Sequence, residues 1–147
     1  MSLIENKKAY FNYEIIEKFD AGIELFGFEV KSLRKGQGSL DGSHITVRGG
    51  EVYLIGSTIP PFQTANTPKT YNSSRNRRLL LTKKEIEELG SSEKQKGLII
   101  VPISVYNKGR KLKVSIAIVR GKKKQDKRQS IKKRESDRET RRTLKYE

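Results

Sequence analysis

From Tyr13 the chain alternates weakly between apolar and polar residues through "YEIIEKF", meets "DAG", and resumes as "IELFGF". A period of two marks strands, and Gly22 at the break can take positive φ, so two antiparallel strands joined by a turn are predicted. In "EVKSLRKGQG" the period changes: Val30 and Leu33 lie three apart with Lys31 and Arg34 on other faces, which predicts a short amphipathic helix ending at Gly36. In "HITVRGGEVYLI" two runs of β-branched and aromatic residues flank Gly49 and Gly50, the pair that a two-residue primed turn accommodates, and a hairpin follows.

Residues 57–78 combine Pro60, Pro61 and Pro68 with Ser, Thr and Asn, a mixture that predicts a long, exposed, basic loop. After the apolar run "RLLL", Thr82 stands three before Glu85 in a capping-box arrangement, predicting a helix over "TKKEIEELG" with Ile86 and Leu89 inward. "GLIIVPISVYN" and "KLKVSIAIV" form a further hairpin around Gly109, with Pro102 marking an edge or a bulge. The sum is mainly β: six or seven strands and two short helices, arranged as a small antiparallel barrel or, alternatively, as a two-layer α+β sandwich. Residues 1–120 make one domain, and 121–147 a basic tail.

Charge adds a partner class. The 147 residues hold 32 Lys and Arg against 17 Asp and Glu, a net charge of +15, far beyond what solubility asks. Residues 121–147 carry 12 basic and 5 acidic side chains, leaving 20 and 12 in residues 1–120. A polyanion is the expected partner, and Lys31, Arg34, Arg75, Arg77, Arg78 and the tail are the groups expected to displace counterions from a phosphate backbone. Among the aromatics Tyr10, Phe11, Tyr13, Phe26, Phe28 and Tyr53, most are expected in the core, and any that faces outward can stack on unpaired bases.

Catalytic chemistry finds little here. Cysteine is absent and His44 is the single histidine, which removes thiolate nucleophiles, Cys-ligated zinc and most imidazole designs. Glu87 and Glu88 are helix neighbours that point apart, and Gly36 and Gly38 lack the lysine and the strand-loop-helix of a phosphate-cradling loop. No apolar run is long enough to span a bilayer, so a cytoplasmic protein without cofactor, metal or membrane is expected, acting as a monomer and not as an enzyme.

The tail poses its own problem. It has no Gly or Pro after Gly121, is rich in helix-forming Lys, Arg, Glu and Gln, and places Asp126, Ser130 and Arg134, and Glu135 and Arg138, at helical spacings. Yet Ile131, Leu144 and Tyr146 cannot bury a face, so the expectation is a segment that folds on contact with RNA.

In order along the chain, "NKKAYFNYEI", "FDAGIEL", "GFEVKSLRKG", "RNRRLLLTKKEIEEL" and "KGLIIVPISVYNKGRKLKVSIAIVRGKKKQDKR" resemble the small protein B (SsrA-binding protein) family. The resemblance implies an oligonucleotide-binding-type barrel that grips the tRNA-like domain of transfer-messenger RNA and brings it to ribosomes stalled on messages without a stop codon. By motif, the family's RNA-binding positions fall on Asp20, Leu80 and Thr82. Asp20 stands where glutamate is common, and Thr82 where asparagine or histidine is common. The tail implied is unstructured when free and helical in the empty messenger channel of the small subunit, reaching the decoding centre. The matched positions there are Gly121, Lys122, Lys123, Asp126, Lys127 and Arg128, with Gln125 where many members carry His or Tyr. The resemblance leaves two other function classes to be tested, a general basic RNA chaperone or ribosome assembly protein and an RNA nuclease or modifying enzyme.

Overall fold

The structure is a computed structural model that describes residues 2–63 and 67–121. Among the described residues seven strands and three helices follow in the order β1 (Ser2–Glu5), α1 (Lys7–Asn12), β2 (Tyr13–Ile23), α2 (Gly27–Arg34), β3 (His44–Arg48), β4 (Glu51–Ile55), β5 (Arg77–Leu80), α3 (Lys83–Glu93), β6 (Leu98–Lys108) and β7 (Lys111–Gly121). All pairings are antiparallel, in the order β1-β6-β3-β4-β5-β2-β7, and β7 pairs back onto β6. The sheet therefore closes into a barrel and leaves only β1 as an appended edge.

The predicted hairpins form as read: Arg48 pairs with Glu51 across Gly49 and Gly50, whose φ values of 57° and 76° fit a primed turn. Pro102 resolves as a bulge, since the β6–β7 register slips between Pro102 and Ser104. Asn6 is tied to that bulge. Its side chain donates to the Pro102 carbonyl at 2.9 Å and its backbone N–H to Ile103 at 2.7 Å, which seats α1 against β6.

Three expectations are corrected. The "DAG" segment is no turn: Tyr13–Ile23 is one strand that pairs with β7 along its length, and "LFGF" leads into α2. Gly22 serves space and not φ, because a Cβ there would meet Leu80 Cβ on the paired strand at 3.2 Å. The third helix is α1, which holds Tyr10 and Phe11, and Phe28 lies on α2 with Phe26 just before it, so none of these four is on a strand. Nor are most aromatics core. Among the described residues Phe19 is the one aromatic in the buried set, and Phe26 stays 51% exposed.

The interior is aliphatic. Ala21, Ile45, Val52, Leu54, Leu79, Ile100, Val114 and Ile116 fill the barrel, Leu33 from α2 and Leu89 from α3 pack against the same cluster, and Ala9 of α1 covers a second cluster formed by Val101, Ile103, Ala117 and Val119. With apolar residues on both faces, β6 and β7 read as near-continuous hydrophobic runs.

Candidate nucleic-acid interface

Register brings the motif positions together. Gly22 faces Leu80 across the β2–β5 pair, Asp20 lies two residues earlier on the same face of β2, and Arg78 lies two before Leu80 on β5. On the other flank of β2, Ser115 pairs with Asp20 and Lys113 with Gly22, while Tyr106 of β6 pairs with Lys113. Leu80 is 47% exposed, an unusual position for a large aliphatic side chain, and Thr82 is exposed just beyond it. A groove of about 370 Å³ runs beside Leu80, lined by Gly22, Leu25, Val30, Arg110, Lys111 and Lys113 among others. It is an apolar slot walled by cations, suited to a splayed base flanked by phosphates.

Two side chains of this face are held in place. Tyr106 donates its hydroxyl to Asp20 Oδ1 at 2.7 Å, and burial, followed by that hydrogen bond and the carboxylate charge, pushes the phenol up to about 12. The phenol therefore remains a donor at neutral pH and fixes one carboxylate oxygen while the other faces outward. Thr82 caps α3: its Oγ1 accepts from the Glu85 N–H at 3.2 Å, and its own N–H donates to Glu85 Oε1 at 3.0 Å.

The predicted arginines divide. Arg78 is exposed, with long ion pairs to Glu24 at 3.5 Å and Glu51 at 3.4 Å, and it belongs to the outward face. Lys31 and Arg34 are exposed on α2, and Arg34 donates to the Arg110 carbonyl at 2.8 Å, tying that helix to the rim of the groove.

Arg77 is a correction. Its side chain has no exposed surface, and its guanidinium donates to Glu29 Oε2 at 2.7 and 3.1 Å, to the Ser57 and Ser73 carbonyls and to the Tyr71 hydroxyl. It ties Ser57, Tyr71 and Ser73 together from within, so it does not present its charge to a phosphate. Arg75 is three-quarters buried, bonds Glu29 and lies over the Phe26 ring at 4.2 Å. Burial opposes charge on Glu29, but hydrogen bonds from Arg75, the Phe26 N–H, Arg77 and Tyr71 outweigh it and hold the carboxyl below its usual range. Of the tail positions, Gly121 closes β7, while Lys122, Lys123, Gln125, Asp126, Lys127 and Arg128 lie outside the described residues.

Sequence reasoning passed over Tyr106, Lys111 and Lys113. The alternation "KLKV" carried a signal for the lysines, since burial of Leu112 and Val114 turns Lys111 and Lys113 outward. Nothing local marks Tyr106, which meets Asp20 because β7 pairs with β6 on one side and with β2 on the other.

Comparison with known proteins identifies the family. A family model described as SmpB protein matches residues 3–146. An SsrA-binding protein of Polaromonas sp. (strain JS666 / ATCC BAA-500) is 43% identical over 99% of this chain and 97% of its own length. One from Mycoplasmoides gallisepticum is 45% identical over 95% and 96%. A solved structure described as "tmRNA-SmpB: a journey to the center of the bacterial ribosome" superposes with a TM-score of 0.69 at 40% identity, covering 82% of this chain and 84% of the other. Matched along nearly its whole length by model and by relatives, the chain belongs to the SmpB protein family.

Proposed function

We propose that this protein binds the tRNA-like domain of transfer-messenger RNA and delivers it to stalled ribosomes for trans-translation, as a cytoplasmic binding factor and not as an enzyme. The observation that carries the reading is the outward face on which Asp20, Gly22, Leu80 and Thr82 come together beside the groove rimmed by Arg110, Lys111 and Lys113. In this reading the free Asp20 oxygen accepts from the N–H edge of an unpaired base, and exposed Leu80 packs against a splayed base. Thr82 lies at the end of the same strip, and Lys31, Arg34, Arg78, Lys111 and Lys113 neutralise phosphates. The barrel of residues 1–120 is then the tmRNA grip, and residues 121–147 are the arm that enters the messenger channel, with Gly121 through Arg128 at its root.

The test compares affinity for the tRNA-like domain with that for an unrelated structured RNA of equal length at one fixed salt concentration. A preference of about tenfold or more, reduced by Asp20→Ala and Leu80→Ala, is expected. Equal affinity for both RNAs would favour a general RNA chaperone instead.

A further inference from the structure

A second cleft lies around the start of α2, lined by Phe26, Phe28, Pro68, Thr70, Tyr71, Asn72 and Arg75 and enclosing about 340 Å³. Its aromatic lining is preorganised. Phe26 and Phe28 stack with centroids 5.5 Å apart, and the Tyr71 ring meets Phe28 edge-on at 4.7 Å. The Arg75 guanidinium is held against Phe26 by its bonds to Glu29, and the Tyr71 hydroxyl donates to Glu29 and to the Ile59 carbonyl. Two loop side chains, Tyr71 and Arg75, are thus fixed by one buried carboxylate of α2. Phe26 nevertheless remains half exposed, so the network holds an apolar ring at the surface where folding alone would hide it.

We infer that this cleft is a base-stacking subsite that takes one unpaired nucleobase of an RNA strand. Three observations select RNA over a protein segment. The group Glu29, Arg75 and Arg77 contains one carboxylate and two guanidiniums, so the wall keeps a positive charge after its ion pairs are made. Lys31, one turn from Phe28 on α2, and Lys69, beside the cleft, are exposed and add to it. The volume lies at the lower end of small-molecule clefts, with room for one nucleobase. Aromatic rings bordered by cations are the arrangement on which single strands stack without sequence preference. Leu25, which lines the groove beside Leu80, immediately precedes Phe26 of the cleft.

The inference rests on the proposed RNA-binding function, and the experiment separates the two. Full-length wild type, Phe26→Ala, Phe26→Leu and Phe26→Tyr are titrated with a short single-stranded RNA carrying one 2-aminopurine, read by fluorescence, and with the tRNA-like domain, read by Kd. Every variant keeps the Phe26 backbone N–H to Glu29, and thermal unfolding checks what each loses of the ring's contacts with Phe28 and Arg75. A roughly five- to hundredfold loss for Phe26→Ala on the oligonucleotide, recovered by Tyr but not by Leu, with an unchanged salt slope, is the expected result.

Wild-type affinity for Phe26→Ala would overturn the subsite, as would full recovery by Leu, which would reduce Phe26 to apolar packing. Loss of preference for the tRNA-like domain in wild type would sink the proposed function while the oligonucleotide arm still judged the cleft.

Discussion

Neighbouring arginines at positions 77 and 78 do opposite work, and composition alone treats them as equals. Alternation along β5 turns Arg77 inward against Glu29 and Arg78 outward, so one residue of register decides which cation RNA can meet. Removing Arg77 leaves a buried carboxylate short of a partner, and Arg77→Ala is expected to cost about 3 kcal/mol and lower Tm by roughly 10 °C, with the salt slope of RNA binding by the folded fraction unchanged. Arg78→Ala should leave Tm within about 2 °C and reduce that slope by about one. Calorimetry together with RNA titrations across salt checks both.

The same carboxylate sets a pH dependence. Glu29 is held lower in the folded protein than its unfolded value of about 4.3, so its contribution is present above that value and is lost as pH falls through the folded one. Urea midpoints measured downward from about pH 5 should fall more steeply for wild type than for Glu29→Gln. Equal slopes would show that the buried carboxylate is not the titrating group.

At the scale of elements, capping chemistry and glycine pairs were readable because they act within four residues. The Thr82–Glu85 box and the Gly49–Gly50 turn both stand where the local pattern put them. The "DAG" segment misled because its glycine answers to a residue 58 positions away: Leu80 needs the space opposite Gly22, a demand that exists only after β2 and β5 pair. β1 and α1 were missed for a related reason. With four and six residues they are too short for a period to register, and Asn6 fixes α1 through the distant Pro102 bulge.

Thr82 caps α3 and is proposed as an interface residue, and the two roles separate by substitution. Asparagine is also a good N-cap, so Thr82→Asn should hold stability within about 0.5 kcal/mol, whereas Thr82→Ala should lose about 1 kcal/mol. Chemical denaturation measures the cap and affinity for the tRNA-like domain measures the contact. A drop in affinity for Asn without a drop in stability would locate the RNA role in the hydroxyl itself.

For the whole molecule, net charge announced a polyanionic partner before any element was placed, but not where it sits. The candidate face is spread over β2, β5, β6 and β7, and its contacts between Tyr106 and Asp20 and between Gly22 and Leu80 are products of strand pairing between segments distant in sequence. Family motifs supplied Asp20, Leu80 and Thr82, and the register supplied Lys111, Lys113 and Tyr106. Among the described residues β7 pairs with β2 as far as Tyr13 and Gly121. Truncation after Gly121 removes charge and keeps every described pair of the barrel. The shortened protein is therefore expected to unfold at a Tm within a few degrees of the full chain and to keep its preference for the tRNA-like domain, while its salt slope on unrelated RNA falls and ribosome delivery is lost. Loss of tRNA-like-domain preference on truncation would mean that grip and arm are not separable, and the division at residue 121 would have to be abandoned.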